Sequence, residues 1–257
     1  MKRAARRAGL EVGRYGPAYG RWRRARLMAI HGINLVLDVG ANAGQYGLEL
    51  RTDGFDGRIV SFEPLAEPFR ELEHRARRDP AWECRRLALS DHGGTEHLNV
   101  SSFTPTSSLL EMNEWFASSA PQFRYVETEE VTLAPLDTVS GELIRSGDHV
   151  LLKLDVQGYE LRVLDGAKDT LPSVAMLECE MSLIPLYDGD PGLRSVLDWL
   201  ATAGFAIVGL EPTGPLPASG HVLQVNGIFV RSEDRLAGLA DPPAVPSAAP
   251  SDPGVPG

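Results

Sequence analysis

Residues 37–46 read Leu-Asp-Val-Gly-Ala-Asn-Ala-Gly-Gln-Tyr, and the fold is decided there. The apolar run Leu35–Val39 predicts a strand buried on both faces, and Ala43–Thr52 behind it predicts a helix. Between them, Gly40 and Gly44 allow a tight turn and a close approach of backbone to a partner. Strand, glycine turn and helix in that order form the first unit of a parallel α/β sheet.

The pattern continues outward. Further strands are expected at Arg58–Phe62, Arg86–Leu89, Val150–Val156 and Val174–Glu180, with a helix over Glu67–Arg77 and another after Gly158. Phe205–Leu210 and Val222–Val230 flank a Pro- and Gly-rich loop, which predicts an antiparallel hairpin at the sheet edge. Residues 93–140 interrupt the alternation with two short strands, Glu96–Val100 and Glu129–Leu133, and read as a substrate lid. The expected organisation is a basic helical arm over 1–34, one α/β domain over 35–232, and a disordered tail over 240–257. The tail prediction follows from six prolines in the last seventeen residues.

Composition narrows the function classes. The chain has 257 residues and a net charge of −10, and it lacks an apolar run of membrane-spanning length. Residues 1–30 carry nine basic side chains against Glu11 alone, a net +8, so the remainder carries −18. So acidic a body disfavours a broad nucleic-acid surface, although the arm could touch RNA, anionic lipid or an acidic partner. Cys84 and Cys179 fall in predicted strands, as buried thiols of a reducing compartment would, and a cytoplasmic protein is expected. A homodimer is compatible with this reading.

Helix N-termini commonly receive phosphate, but Asp38 precedes this one and would repel a pyrophosphate. The same charge would attract the ammonium or sulfonium of S-adenosylmethionine. The glycine spacing also departs from G-x-G-x-x-G, because Asn42 and Gln45 occupy the second and third glycine places. Glu63, in Ser-Phe-Glu-Pro at the end of the second strand, suits the two hydroxyls of a ribose. Ser90 and Asp91 fall where a loop would pass an adenine edge. In Leu-Leu-Lys-Leu-Asp-Val-Gln-Gly-Tyr-Glu (151–160), Lys153 and Asp155 lie two residues apart at the carboxyl end of a strand, where ligands of open α/β sheets bind. Glu178 and Glu180 follow the same logic on the next strand. Ser107, Ser108, Trp115 and Tyr187 offer a polar, partly aromatic wall for a small-molecule acceptor.

Taken together, these stretches resemble the FkbM-type methyltransferases over roughly residues 20–232. The resemblance rests on Asp38–Tyr46, Gly57–Pro64, Leu87–Asp91, Thr106–Leu110, Lys153–Glu160, Gly166–Ala167, Glu178–Asp190 and Gln224–Arg231. It implies a class I (Rossmann-like) α/β methyltransferase fold, a mostly parallel seven-stranded sheet with a C-terminal antiparallel hairpin. It also implies S-adenosylmethionine as donor and a hydroxyl of a sugar, polyketide or other metabolite as acceptor. Donor contacts are then expected from Asp38, Gly40, Asn42, Gly44, Gln45, Tyr46, Glu63, Pro64, Ser90, Asp91 and Asp155. Asn226 departs from the family's usual Gln-Val-Asp-Gly-Ile-Phe. Asp155 is the first candidate for general base, Lys153 for stabilising the developing oxyanion, and Glu180 for reserve base. No zinc-like His/Cys cluster occurs, and a magnesium site from Asp155, Glu180 and a third oxygen is the less favoured reading. A ribose 2'-O-methyltransferase of RNA and a non-catalytic donor-binding protein are the alternatives.

Overall fold

The computed structural model describes residues 17–214 and 220–239. The first sixteen residues of the expected arm, the tail from 240 and part of the hairpin loop lie outside the described residues. Helix α1 (Pro17–Ile30) leads into β1 (Leu35–Val39), α2 (Gln45–Thr52), β2 (Arg58–Phe62), α3 (Ala66–Ala76) and β3 (Trp82–Arg85). Next come β4 (Ala88–Leu89), β5 (Gly94–Ser101), α4 (Glu114–Ser119), β6 (Tyr125–Ala134) and α5 (Leu136–Leu143). The chain continues through β7 (Val150–Leu154), α6 (Glu160–Asp165), β8 (Val174–Ser182), α7 (Gly192–Thr202), β9 (Phe205–Thr213) and β10 (Gln224–Arg231).

Seven strands form the main sheet in the order β3-β2-β1-β7-β8-β10-β9. The first five are parallel, and β10 runs antiparallel to both β8 and β9. This is the expected class I outline. The continuous apolar character of β1 and β7 has a simple cause, since helices cover both faces. Leu35, Leu37, Leu152 and Leu154 pack with Leu136, Val163 and Leu200 of α5, α6 and α7. Val36, Ile59, Leu151 and Met176 pack on the other face with Met28, Leu50 and Leu72 of α1, α2 and α3.

The third strand corrects the expectation. It is Trp82–Arg85, paired from Ile59↔Trp82 to Phe62↔Arg85, and not Arg86–Leu89. Trp82 fixes this register by burying its ring beside Gly44 and Gly47 and donating Nε1–H to Ser61 Oγ at 3.0 Å. Ala88–Leu89 instead pairs in parallel with β6 in a second sheet of order β4-β6-β5. Strands β5 and β6 are longer than expected, so the excursion is a small sheet. Residues 102–110 form a loop beside it.

Close backbone contacts lock the sheet tips together. Gly40 sits at φ +78, and a Cβ there would lie 1.9 Å from the Asp155 carbonyl oxygen. A Cβ on Gly166 would lie 1.9 Å from the Ser90 carbonyl oxygen. Gly54, at φ +90, faces nothing within 4 Å and serves as a control. Gly54→Ala should cost about 1–2 kcal/mol from the left-handed backbone alone. Gly40→Ala adds a backbone clash and should cost at least about 3 kcal/mol, as measured by urea unfolding. Equal costs for the two variants would refute a steric role for Gly40.

Candidate active site

The carboxyl ends of β1, β2 and β7 open onto a cleft of about 100 Å³. The turn after β1 contributes Gly40 and Asn42, the turn after β2 contributes Glu63 and Pro64, and the turn after β7 contributes Asp155 and Gln157. Leu87, Ala88 and Leu89 form an apolar end, and Thr104, Pro105 and Ser107–Leu109 line the cleft from the 102–110 loop. The 102–110 loop is tied down by Asn42, whose Nδ2–H donates to Thr104 Oγ1 at 3.2 Å. No Lys or Arg lines this cleft among the described residues, whereas Glu63 and Asp155 do. A site with that charge favours a cationic ligand over a phosphate ester.

Glu63 is built for a pair of hydroxyls. Its Oε2 accepts from the Asn42 N–H and its Oε1 from the Leu65 N–H, each at 2.8 Å. Each oxygen keeps a lone pair for one more donor, which is what the two hydroxyls of a ribose require. Burial pushes this carboxyl up to about 7, against the opposing pull of the two backbone N–H groups.

The charges beneath the cleft form a chain. Lys153 Nζ lies 3.5 Å from Asp38 Oδ1 and 3.3 Å from Asp155 Oδ2. Ser61 Oγ–H donates to Asp38 Oδ2 at 3.1 Å. Burial lowers the affinity of the Lys153 amine for its proton, but Asp155, Asp38 and Glu178 outweigh it and hold the ammonium charged. Two expectations change here. Asp38 does not guard the mouth of the turn, because none of its surface is exposed and its partners are Ser61 and Lys153. Lys153 does not reach into the cleft as an oxyanion holder, because its side chain is only 9% exposed and sits behind Asp155. The Asp155 side chain, at 35% exposure, is the member of the chain that meets the cleft.

Gln157 completes the floor, and the sequence reading gave it no role. Its Nε2 donates to Asp155 Oδ1 at 2.8 Å and to Glu180 Oε2 at 2.5 Å. Its Oε1 accepts from the Tyr187 hydroxyl at 2.8 Å. Its φ of +54 is unusual for a residue with a Cβ. Glu180 takes a second bond from Gln224 Nε2 at 2.9 Å, and Asn226 pairs opposite it across β10. Glu160, also unassigned from sequence, accepts from the Val156 and Gly158 N–H groups, and burial pushes it up to about 8. Among the described residues, no three His, Cys, Asp or Glu side chains are grouped to hold a metal ion.

Several expected contacts lie elsewhere. Gly44 caps α2 and faces Leu72 and Trp82, and Gln45 points outward to Asn42. Tyr46 lies beneath the sheet tip, donating to Glu178 Oε2 at 2.8 Å, with Arg24 4.7 Å from its ring centre. Ser90 and Asp91 do not line the cleft, and Asp91 is instead bound by His92 and Arg162. Among the acceptor candidates, Ser107 and Ser108 line the cleft. Trp115 stacks on Phe116 and is 47% exposed away from the cleft, whereas Tyr187 is fully buried behind Gln157. The helix polarity and alternation that placed these residues near the strand tips could not resolve which side of the tip each would take.

A family model described as the methyltransferase FkbM domain matches residues 38–207, well over half of the chain. The chain is 27% identical over 224 residues to the 31-O-demethyl-FK506 methyltransferase FkbM of Streptomyces tacrolimicus, covering 76% of this chain and 82% of that one. It is 29% identical over 209 residues to the 2-O-methyltransferase NoeI of Sinorhizobium fredii (strain NBRC 101917 / NGR234), covering 75% and 79% of the two chains. The structure of the bifunctional kinase-methyltransferase WbdD matches with a TM-score of 0.46 and 14% identity, over 84% of this chain and 38% of that one. No helix among the described residues is long and apolar enough to cross a membrane. The match over residues 38–207 makes this chain a member of the FkbM methyltransferase family, S-adenosylmethionine-dependent enzymes of methyl transfer.

Proposed function

We propose that the protein methylates a hydroxyl of a small polar metabolite, a sugar, a polyketide or a glycosylated natural product. The observation that carries this reading is Asp155, a carboxylate at the cleft floor with a buried ammonium behind it and an amide beside it. The two curated relatives support it, because both are named as O-methyltransferases. When bound, S-adenosylmethionine supplies a methyl group already activated for transfer. The chain's own residues then have two tasks. Glu63, Gly40 and Asn42 hold the nucleoside, and Asp155 takes the proton of the attacking hydroxyl as the new O–C bond forms. Lys153 sets its buried positive charge 3.3 Å from Asp155 Oδ2, where the low dielectric strengthens the pair. Ser107 and Ser108 stand on the lid side, where the acceptor's further hydroxyls would meet them.

Calorimetry tests the donor site. S-adenosylhomocysteine should bind and NAD should not, and Glu63→Gln should weaken binding about tenfold or more, the worth of hydrogen bonds to a charged acceptor. Ribose hydroxyls favour the ionised carboxylate, and Glu63 in the free protein titrates at about 7. Affinity should therefore be full above pH 7 and fall as pH drops below it, by up to about tenfold per unit, with Glu63→Gln flat over the same range. NAD binding in place of S-adenosylhomocysteine would reject the site as described.

A labelled-methyl assay against polyhydroxylated compounds tests the reaction. The product should resist mild alkali, as an ether does and a methyl ester does not. Asp155→Asn should lower turnover by about 10²–10⁴ while S-adenosylhomocysteine still binds. Unimpaired turnover in that variant would remove Asp155 as the base.

A further inference from the structure

We infer that Gln157 is a positioning residue for methyl transfer: its side-chain amide ties Asp155 and Glu180 into one hydrogen-bonded pair on the cleft floor, in an orientation that Tyr187 fixes from behind. The inference rests on the O-methyl-transfer reading, in which Asp155 receives the proton of the acceptor hydroxyl.

The hydrogen-bond inventory dictates the orientation. A primary amide has two N–H donors and one carbonyl acceptor, and all are used here. One nitrogen serves both carboxyls, Asp155 Oδ1 at 2.8 Å and Glu180 Oε2 at 2.5 Å. The carbonyl oxygen meets the Tyr187 hydroxyl at 2.8 Å. Turning the amide over would set its oxygen against the carboxyl oxygens, and the single proton of the Tyr187 hydroxyl would exchange its 2.8 Å bond to that oxygen for the longer one of 3.2 Å to the Thr106 carbonyl. Tyr187 cannot swing away, because it is 2% exposed and packed against the edge of Phe116.

The backbone is pinned as well. Ser108 of the lid donates its Oγ–H to the Gln157 carbonyl at 2.8 Å. Gly158 follows at φ +93, with Leu110 and Tyr187 against the place of a Cβ. Left-handed backbone at a non-glycine residue persists only where its surroundings over-determine it, and here both the lid and the phenol do so. Gln157 therefore joins the lid on one side to the reacting carboxylate on the other.

The groups around the pair explain why it needs holding. Lys153 on β7 faces Asp155, Asp38 on β1 lies behind Lys153, Glu160 on α6 lies near Glu180, and Gln224 on β10 donates to Glu180. Tyr125 lies behind Tyr187. Four carboxyls thus share one ammonium. Burial first, and then Asp155 and Glu160, push Glu180 well above the ordinary carboxylate range. In the reaction the S–CH₃ bond breaks as the O–CH₃ bond forms, the sulfur keeps the bonding pair, and the hydroxyl proton passes to Asp155. Its exposed edge then releases that proton to solvent.

The test follows the Glu180 carboxyl by NMR titration of glutamate labelled at its side-chain carboxyl, assigned by the signal lost in Glu180→Gln. Gln157→Leu removes one of two donors to the ionised form, so the Glu180 midpoint should rise by about one pH unit. Tyr187→Phe lets the amide turn over and should raise it in the same direction, and this variant decides the matter if Gln157→Leu does not fold. A Glu180 midpoint equal to wild type in the folded variants would overturn the inference. Calorimetry of the wild type with S-adenosylhomocysteine runs alongside. Failure to bind speaks against the methyl-transfer reading, whereas an unmoved Glu180 speaks against Gln157 alone.

Discussion

The contact on which the site depends is the one between the Lys153 ammonium and the carboxylates of Asp38 and Asp155. It joins the tips of the two central strands, and its Asp38–Lys153 half is buried away from water. A buried charge without a partner is strongly destabilising, whereas a buried set that satisfies itself is tolerated. Here the sheet register supplies the set. Ser61, Asp38, Lys153 and Glu178 stand side by side across β2, β1, β7 and β8. Arg24 of α1 and Tyr46 of α2 close the far end against Glu178. The last carboxylate of the chain, Asp155, emerges at the cleft.

The surrounding parts follow from that arrangement. Gly40 must lack a side chain because the Asp155 backbone passes against it, so the β1 turn and the β7 turn are set as one unit. Glu63 braces the first turn through the Asn42 N–H, and Asn42 in turn meets Thr104. The second sheet carries the 102–110 loop, and that loop meets Gln157 through Ser108. Glu63, the 102–110 loop and Asp155 are therefore mechanically continuous through side chains that each satisfy more than one neighbour.

Much of this was legible in the sequence. The parallel strands, the terminal hairpin and the place of Glu63 and Asp155 at strand ends follow from apolar runs and glycine turns, which are local signals. Trp82–Arg85 escaped because an edge strand covered on one side alternates, and the fully apolar Leu87–Leu89 nearby gave the stronger signal. Asp38 and Lys153 were read as ligand-facing because a charge on a buried strand implies use. Their use proves to be on each other, and only the pairing register between β1 and β7 reveals it. Ser90 and Asp91 fell to the same limit, since the partner of Asp91 is Arg162 on α6, far away in sequence. Tyr187 and Trp115 share a loop-rich region where aromatic character says nothing about direction. Gln157 escaped because its importance lies in partners from four separate segments.

The most direct test is a double-mutant cycle on unfolding free energy with Asp38→Asn, Lys153→Met and the pair. Each single change should cost about 3–5 kcal/mol, because it strands a buried charge. The double variant should cost less than the two together by at least about 1 kcal/mol. Costs that simply add would mean that the two side chains do not depend on each other, and would contradict the account of the sheet tip.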